Sequence, residues 1–393
     1  MELSFNQEQC MIRDTAASFL AEVSSPAAVR AAMVRAEGHD QQAWQRICDE
    51  MVWQALHIPE SYGGMGLGYV ELIALLEQMG RFLFCSPFYA TVCLGANALL
   101  VAGTESQKTT YLPKIVAGST ATLAYTGSNG GWGADSIELI VAPHNGGVVL
   151  NGKCRYVPDG ASAEILVVAA RSKGSHGMSG VSLFVLPQET AGLTRSWLPT
   201  MDQTRRQAEL VFDNVQLDSD AIMCEPGAAW PLLEKIIDLA TVAIVADQVG
   251  CAQQSLDMTV SYVLQRVQFG RVIGSYQAVK HKCADMMVKA ESARSALYYA
   301  ACIAAEALVD GELGADLASA ASAAKACGSD ACFFNTGTAI QLHGGVGFTA
   351  EYDVQLYFKR AKSSETFLGD SAYHRERLAQ RLLDEGAGDE INL

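Results

Sequence analysis

The chain of 393 residues carries 28 basic and 43 acidic side chains, a formal net charge of -15. This charge argues against a nucleic-acid backbone or an anionic membrane as the main partner. Half of the residues are apolar and 18% are charged, so we expect two or three subdomains and an oligomer that buries surface between subunits.

The cysteines and the first residues indicate the cellular compartment in which we expect the protein. Eleven cysteines stand singly, without a C-x-x-C pair or zinc-type spacing, which indicates neither a disulfide framework nor a metal site. The start M-E-L-S-F-N-Q-E-Q-C has no basic stretch followed by an apolar one, and no run reaches eighteen uncharged apolar residues. We therefore expect a cytoplasmic protein with reduced thiols and no membrane insertion.

The hydrophobic period changes twice along the chain. Residues 1–118 show helical spacing and one glycine-rich loop, P-E-S-Y-G-G-M-G-L-G at 59–68, which predicts an α-helical domain. Residues 119–227 hold short runs rich in Val, Ile, Leu and Phe, which predict a β domain, an antiparallel barrel or sandwich. The predicted strands cover 137–142, 147–150, 165–170, 181–186 and 209–212.

Helical spacing returns in residues 228–393. From Tyr276 onward one apolar stripe recurs every three or four residues, as a long buried helix face requires, and Gly311 with Gly314 is expected to interrupt the helices. The prediction is a C-terminal four-helix bundle with long antiparallel members.

Two motifs in this last zone point to a cofactor that carries phosphate. The first motif, Q-R-V-Q-F-G-R-V-I-G-S-Y-Q at 265–277, contains arginines, an aromatic residue and glycines. The second motif, Q-L-H-G-G-V-G-F at 341–348, contains three glycines and follows a predicted helix. An arginine fork suits phosphate, and bare glycine amides permit close approach of a ligand. Either motif alone is more often a helix end or a tight turn.

In this order and spacing the motifs resemble the acyl-CoA dehydrogenase family across essentially the whole chain. Further matches are P-E-S-Y-G-G-M-G at 59–66, L-N-G-K at 150–153, F-D-N-V at 212–215 and E-Y-D-V-Q-L-Y-F-K-R-A-K at 351–362. The resemblance implies an α+β fold with a helical domain, a β-barrel domain and a helical bundle. It also implies an acyl-CoA substrate, FAD bound across a subunit interface, a homo- or hetero-oligomer, and electron-transferring flavoprotein as the electron acceptor.

The resemblance also assigns candidate cofactor contacts. A first set of residues would reach the FAD of a neighbouring subunit, and a second set would lie against its pyrophosphate and adenosine. Tyr125 and Thr126 would contact its isoalloxazine ring. In the segment Y-T-G-S-N-G-G-W-G-A-D at 125–135 and at Arg155 and Tyr156 the sequence departs from the family pattern. The first set is Arg266, Gln268, Phe269 and the adjoining Gln277; the second is Gln341, Gly344 and Gly345.

The family's catalytic base is missing from its usual places. The reaction removes an α-proton of the thioester while a hydride leaves the β-carbon, so it needs a carboxylate base and donors to the thioester oxygen. Aligning the family's Tyr-Glu-Gly-Thr turn on Gly369 places Leu368 at the glutamate, with its backbone amide retained, and Asp370 two residues later. The other base position used in the family falls on Ala240.

Three interpretations stay open at this point. Asp370 is the base through a local change in the turn, or the chain is a subunit without a base that completes the FAD site of a heteromeric enzyme. In the third, the fold serves another flavin reaction, such as nitroalkane oxidation or hydroxylation. Asp370 is also well placed to cap the helix that starts at Ser371. The segment around L-G-D at 368–370 resembles bacterial members that work on steroid or other bulky thioesters as α2β2 complexes.

Overall fold

The computed structural model describes residues 5–310 and 315–389. The chain begins with a helical layer whose first helix starts at a reciprocal cap, in which Asn6 and Gln9 each bond the other's backbone amide. Ala16, Phe19 and Leu20 form its buried stripe. The helices are α1 Gln7–Val23, α2 Pro26–Val34, α3 Gln41–Arg46, α4 Tyr69–Arg81, α5 Asn97–Ala102 and α6 Glu105–Val116. Tyr89–Ala96 is a wider helical segment that leads into α5.

A curled sheet of seven strands follows, in the order β1-β4-β2-β3-β7-β6, with β5 paired to β4. The strands are β1 Ala121–Ala124, β2 Ile140–His144, β3 Gly147–Pro158, β4 Ile165–Ser172, β5 Val181–Pro187, β6 Leu193–Trp197 and β7 Gln207–Leu217. The expectation of purely antiparallel pairing is wrong at two places, because β1 and β2 both run parallel to β4. Short strands such as β1 and β6 are set by long-range pairing rather than by a local pattern.

The C-terminal zone is a helical bundle, and the predicted fold class is confirmed. Its elements are α7 Trp230–Gln265, β8 Val267–Gln268, β9 Arg271–Val272, α8 Gln277–Asp310, α9 Ala315–His343, α10 Val354–Thr366 and α11 Ser371–Asp389. The predicted stripe of α8 is buried at Met286, Ala290, Ala293, Leu297 and Ala300. The predicted interruption at Gly311 and Gly314 lies outside the described residues.

Helix α7 is the axis of this arrangement. It is long and apolar enough to cross a membrane by length and composition, but 94% of its most apolar stretch is buried inside the protein. Two tyrosines of the N-terminal layer donate hydrogen bonds to its backbone: Tyr69 to the Leu239 carbonyl at 2.6 Å and Tyr89 to the Ala240 carbonyl at 2.9 Å. One large core therefore joins the N-terminal helices, one face of the sheet and the bundle.

Candidate functional site

The hairpin β8–β9 at the end of α7 presents the first set of predicted cofactor residues. Phe269, at its tip, is 91% exposed and has a φ of 54°. Arg266, Gln268 and Gln277 are also exposed. Within residues 5–310 and 315–389 the Arg266 guanidinium makes no hydrogen bond or ion pair. These side chains point outward, where another chain or a ligand can meet them.

The glycine loop after α9 presents the second set beside the hairpin. Gln341, Gly344 and Gly345 are exposed, and a Cβ added at either glycine would meet no atom within 4 Å. The His343 ring stacks on the Tyr262 ring at 4.2 Å, and the Tyr262 hydroxyl donates to the His343 carbonyl at 3.3 Å. This stack joins the loop to the base of the hairpin, since the Arg266 amide bonds the Tyr262 carbonyl. The two sets form one outer surface.

Tyr125 and Thr126 lie elsewhere, in a cleft between the sheet and the bundle. The Thr126 hydroxyl donates to the Arg155 carbonyl at 2.9 Å, and the Arg155 amide donates to the Thr126 carbonyl at 2.9 Å. The cleft's other walls include Tyr156, which has a φ of 60°, and Leu368. The cavity left between these side chains is about 10 Å³, room for no more than about one water molecule.

The turn between α10 and α11 closes the cleft from the bundle side. Leu368 is 1% exposed and has a φ of 60°, a strained value for a bulky residue. His374 Nε2 lies 2.9 Å from the Leu368 carbonyl oxygen, and Lys325 Nζ donates to the Gly369 carbonyl at 2.9 Å. In the described part of the chain the Leu368 amide donates to no protein acceptor. The turn is therefore held through its carbonyls and keeps one amide available.

Two buried bases hold this turn. Burial lowers the pKa of Lys325 to about 7, against the attraction of Glu365 and Asp370. Burial, followed by the positive charge of Lys325, lowers the pKa of His374 to about 3. His374 is therefore neutral at pH 7, and its Nε2 carries the proton that the Leu368 carbonyl accepts. Both groups serve the backbone of the turn.

Asp370 is used as a helix cap. Its carboxylate is exposed and accepts the Tyr373 amide at 2.8 Å, three residues into the following helix. A carboxylate in this position satisfies one of the free amides of a helix start. The side chain is not among those that line the cleft.

The acids nearest the second base position are already engaged. Asp238 is buried in an ion pair with Arg377, and burial raises the pKa of its carboxyl while the guanidinium opposes this. Asp247 pairs with Arg205 at 2.8 Å. Ala240 itself offers a methyl group, and its carbonyl is occupied by the Tyr89 hydroxyl.

Trp132 is a cleft residue that the motif comparison did not assign. Its ring packs edge to face on Phe367 at 5.1 Å between centroids and tilts over Tyr125 at 6.1 Å. Tyr89 also packs edge to face on Phe367, at 6.0 Å. The single tryptophan within the glycine-rich segment 125–135 was the signal in the sequence.

Comparison with known proteins identifies the class. The N-terminal domain model of acyl-CoA dehydrogenases matches residues 6–119, and the C-terminal domain model matches residues 229–383. The acyl-CoA dehydrogenase IpdE2 of Mycolicibacterium smegmatis is 32% identical over 375 residues, 95% of this chain and 98% of the relative. The chain belongs to the acyl-CoA dehydrogenase family of oxidoreductases.

Two solved structures agree with this assignment. Butyryl-CoA dehydrogenase from Megasphaera elsdenii is 26% identical, with a TM-score of 0.89 over 98% of this chain and 100% of that one. The Tcur3481–Tcur3483 steroid ACAD, solved as a variant, is 28% identical, with a TM-score of 0.83 over 97% of this chain and 99% of that one. Both span the N-terminal helices, the sheet and the bundle.

The family implies FAD, and the two groups of predicted residues fit this cofactor differently. The outer surface fits, since the Arg266 guanidinium has no partner among the residues that the structure describes and the two glycines leave their backbone open. The cleft does not fit a tricyclic ring, because a cavity of about 10 Å³ is the size of one water molecule. The chain can thus contact FAD from outside more readily than it can enclose the ring.

Proposed function

We propose that this chain is the FAD-site-completing subunit of a heteromeric acyl-CoA dehydrogenase, whose partner chain supplies the carboxylate base. The observation that carries the proposal is the turn 367–370, in which a buried leucine stands at the base position and the nearby aspartate caps a helix. Leucine cannot accept a proton, and the Asp370 carboxylate is held by the Tyr373 amide.

Each group in this chain then has a defined task. FAD, when bound, supplies the acceptor for the hydride that leaves the β-carbon of the thioester. Arg266 would pair with a phosphate of the cofactor, and Gly344 with Gly345 would let its backbone approach. Lys325 and His374 hold the turn in place through its carbonyls.

The reading in which Asp370 is the base has less support. It requires the carboxylate to give up its cap and turn from solvent toward the cleft. It also requires a cleft large enough for flavin and thioester, against a cavity of about 10 Å³. The other flavin reactions, of nitroalkane oxidase or hydroxylase type, stay predictions from the sequence.

The relatives support a proposal for the partner and the substrate. The Tcur3481–Tcur3483 structure carries two protein names and the description steroid ACAD, which supports a second, related chain as partner and a bulky or steroid acyl-CoA thioester as substrate. We further propose a tetramer of the α2β2 type in the cytoplasm, with electron-transferring flavoprotein as the acceptor. The acidic net charge of -15 suits a protein without a nucleic-acid partner.

Co-purification with a flavin assay tests this function. The full chain, tagged and isolated from its own cells, should carry a second acyl-CoA dehydrogenase chain in equimolar amount. A panel of acyl-CoA thioesters should bleach the flavin of this complex under anaerobic conditions, and Asp370→Asn should leave the bleaching rate unchanged because asparagine caps a helix as well as aspartate does. A yellow homo-oligomer that substrate bleaches, and that Asp370→Asn inactivates, would refute the proposal.

A further inference from the structure

Four aromatic rings pack together at the cleft where the family resemblance expects a flavin ring, and Tyr125, Trp132 and Phe367 line it. We call Tyr89, Tyr125, Trp132 and Phe367 the aromatic plug. Phe367 contacts both Tyr89 and Trp132, with centroid distances of 6.0 and 5.1 Å, and Trp132 contacts Tyr125 at 6.1 Å. The two pairs that include Phe367 are edge to face, and such pairs at these distances are favourable contacts. The plug is therefore a packed cluster, and Trp132 is its member from the glycine-rich loop 127–136.

Glu138 fixes the first half of this loop. Its carboxylate accepts the Ser128 amide at 2.9 Å, the Ser128 hydroxyl at 2.8 Å and the Asn129 amide at 3.2 Å. The hydrogen bond from the Ser128 amide is the largest of the effects that lower the pKa of Glu138. A Cβ on Gly127 would lie 2.2 Å from the Glu138 side chain, so this close approach requires glycine. The carboxylate thus works as a clamp on the loop.

Arg171 fixes the second half. This buried guanidinium donates to the Ala134 carbonyl at 2.6 Å and to the Ile137 carbonyl at 3.1 Å. It also bonds the Ser175 carbonyl at 2.7 Å, and the Asp135 carboxylate accepts the Gly177 amide at 2.6 Å. The loop that carries Trp132 is therefore fixed on both sides of this residue, by the Glu138 carboxylate and by the Arg171 guanidinium.

We propose that Trp132, as the loop member of the aromatic plug, excludes a flavin ring from this chain's own cleft. This inference rests on the proposed function. It names the residue because of which the subunit contacts FAD only through its outer surface. The flavin ring of the heteromer then lies in the partner's cleft. Glu138 and Arg171 are positioning residues that keep Trp132 in place.

Lumiflavin, which is the flavin ring without its phosphate-bearing arm, tests the plug directly. Its affinity for the full chain is measured by flavin fluorescence for wild type, Trp132→Phe, Trp132→Ala and Trp197→Ala. We expect Trp132→Ala to bind about tenfold tighter than wild type or more, and Trp132→Phe to resemble wild type. Trp197→Ala is the matched control, because it removes a tryptophan of the same domain that donates to the Ala36 carbonyl, outside the cleft.

A second variant keeps the test decisive where Trp132→Ala does not fold. Glu138→Ala retains the plug residue and releases its loop, so it should raise lumiflavin affinity above that of wild type. Circular dichroism and a thermal melt establish which variants are folded. Wild-type binding as tight as that of folded Trp132→Ala or Glu138→Ala would overturn the plug, and so would quenching of Trp132 emission by ring stacking in wild type.

The result is separable from the fate of the proposed function. An equimolar partner chain together with tight lumiflavin binding by wild type would reject the plug and keep the heteromer. A wild type without a partner that still excludes lumiflavin would reject the heteromer and keep the plug. A homo-oligomer without a partner chain that holds one bleachable FAD per copy of this chain would reject both.

Discussion

The guanidinium of Arg205 lies 2.8 Å from the carboxylate of Asp247, with side-chain exposures of 10% and 4%. Arg205 also lies over the Tyr89 ring at 5.0 Å and donates to the Ser364 hydroxyl at 3.3 Å. This one arginine therefore ties the loop before β7 to α7, to the segment before α5 and to α10. The three zones of the chain meet at this ion pair.

Breaking this pair should destabilise the whole fold. Asp247→Ala leaves a buried guanidinium without its counter-charge, for which we expect a loss of about 3–5 kcal/mol in the free energy of unfolding. Asp14→Ala is the control, since Asp14 pairs with Arg13 at 2.8 Å with 67% of its side chain exposed, and it should cost at most about 1 kcal/mol. Urea unfolding measures both, and equal losses would contradict the assigned role.

The cap at α11 predicts a difference between two substitutions of Asp370. Asp370→Ala removes the acceptor of the Tyr373 amide and should cost about 1 kcal/mol of unfolding free energy. Asp370→Asn retains a side-chain acceptor and should stay within about 0.5 kcal/mol of wild type. Thermal or urea unfolding of both variants gives the answer. Similar losses for Ala and Asn would mean that the negative charge, rather than the cap, is needed.

His374 predicts a loss of stability in acid. Its pKa of about 3 in the folded chain compares with about 6.5 in an unfolded one, so the unfolded chain binds more protons between these values. Stability from this group is complete above pH 6.5 and falls toward pH 3, by up to about 1.4 kcal/mol for each pH unit. Lys325 and Arg377, which also face the ring, lower its pKa, and Asp370 raises it.

Unfolding curves between about pH 4.5 and 7.5 measure this effect. The range begins about two pH units below the usual histidine pKa and ends above it. His374→Gln should show a flatter dependence of unfolding free energy on pH than wild type. His176→Gln, at an exposed position, should retain the wild-type slope. Parallel curves for wild type and His374→Gln would exclude His374 as the source.

The outer surface predicts a specific loss of cofactor. In the isolated complex, Arg266→Ala should weaken FAD retention about tenfold or more, because a charge-assisted hydrogen bond to phosphate contributes about 1.5–3 kcal/mol. Lys280→Ala is matched in charge and is also exposed, beyond the hairpin, and should retain FAD like wild type. Dilution followed by flavin fluorescence measures the released fraction. Equal loss in both variants would indicate a general charge effect.

Much of the architecture could be predicted because apolar residues recur at a regular spacing along each helix. The stripe of α8 at Met286, Ala290 and Leu297 follows helical spacing and is buried as expected. The parallel pairing of β1 and β2 with β4 could not be predicted, because each partner lies many residues away and the short strands carry no local signal of direction.

The sequence by itself determined the helical and β zones, the family motifs and the absence of a carboxylate at the two usual base positions, Leu368 and Ala240, since residue identity and period are local properties. Only the tertiary structure decided what the remaining groups do. Asp370 became a cap because its oxygen meets the Tyr373 amide, and Trp132 became a cleft residue because two charged clamps direct its loop toward Phe367. Such roles depend on contacts between distant segments, which exist once the chain has folded.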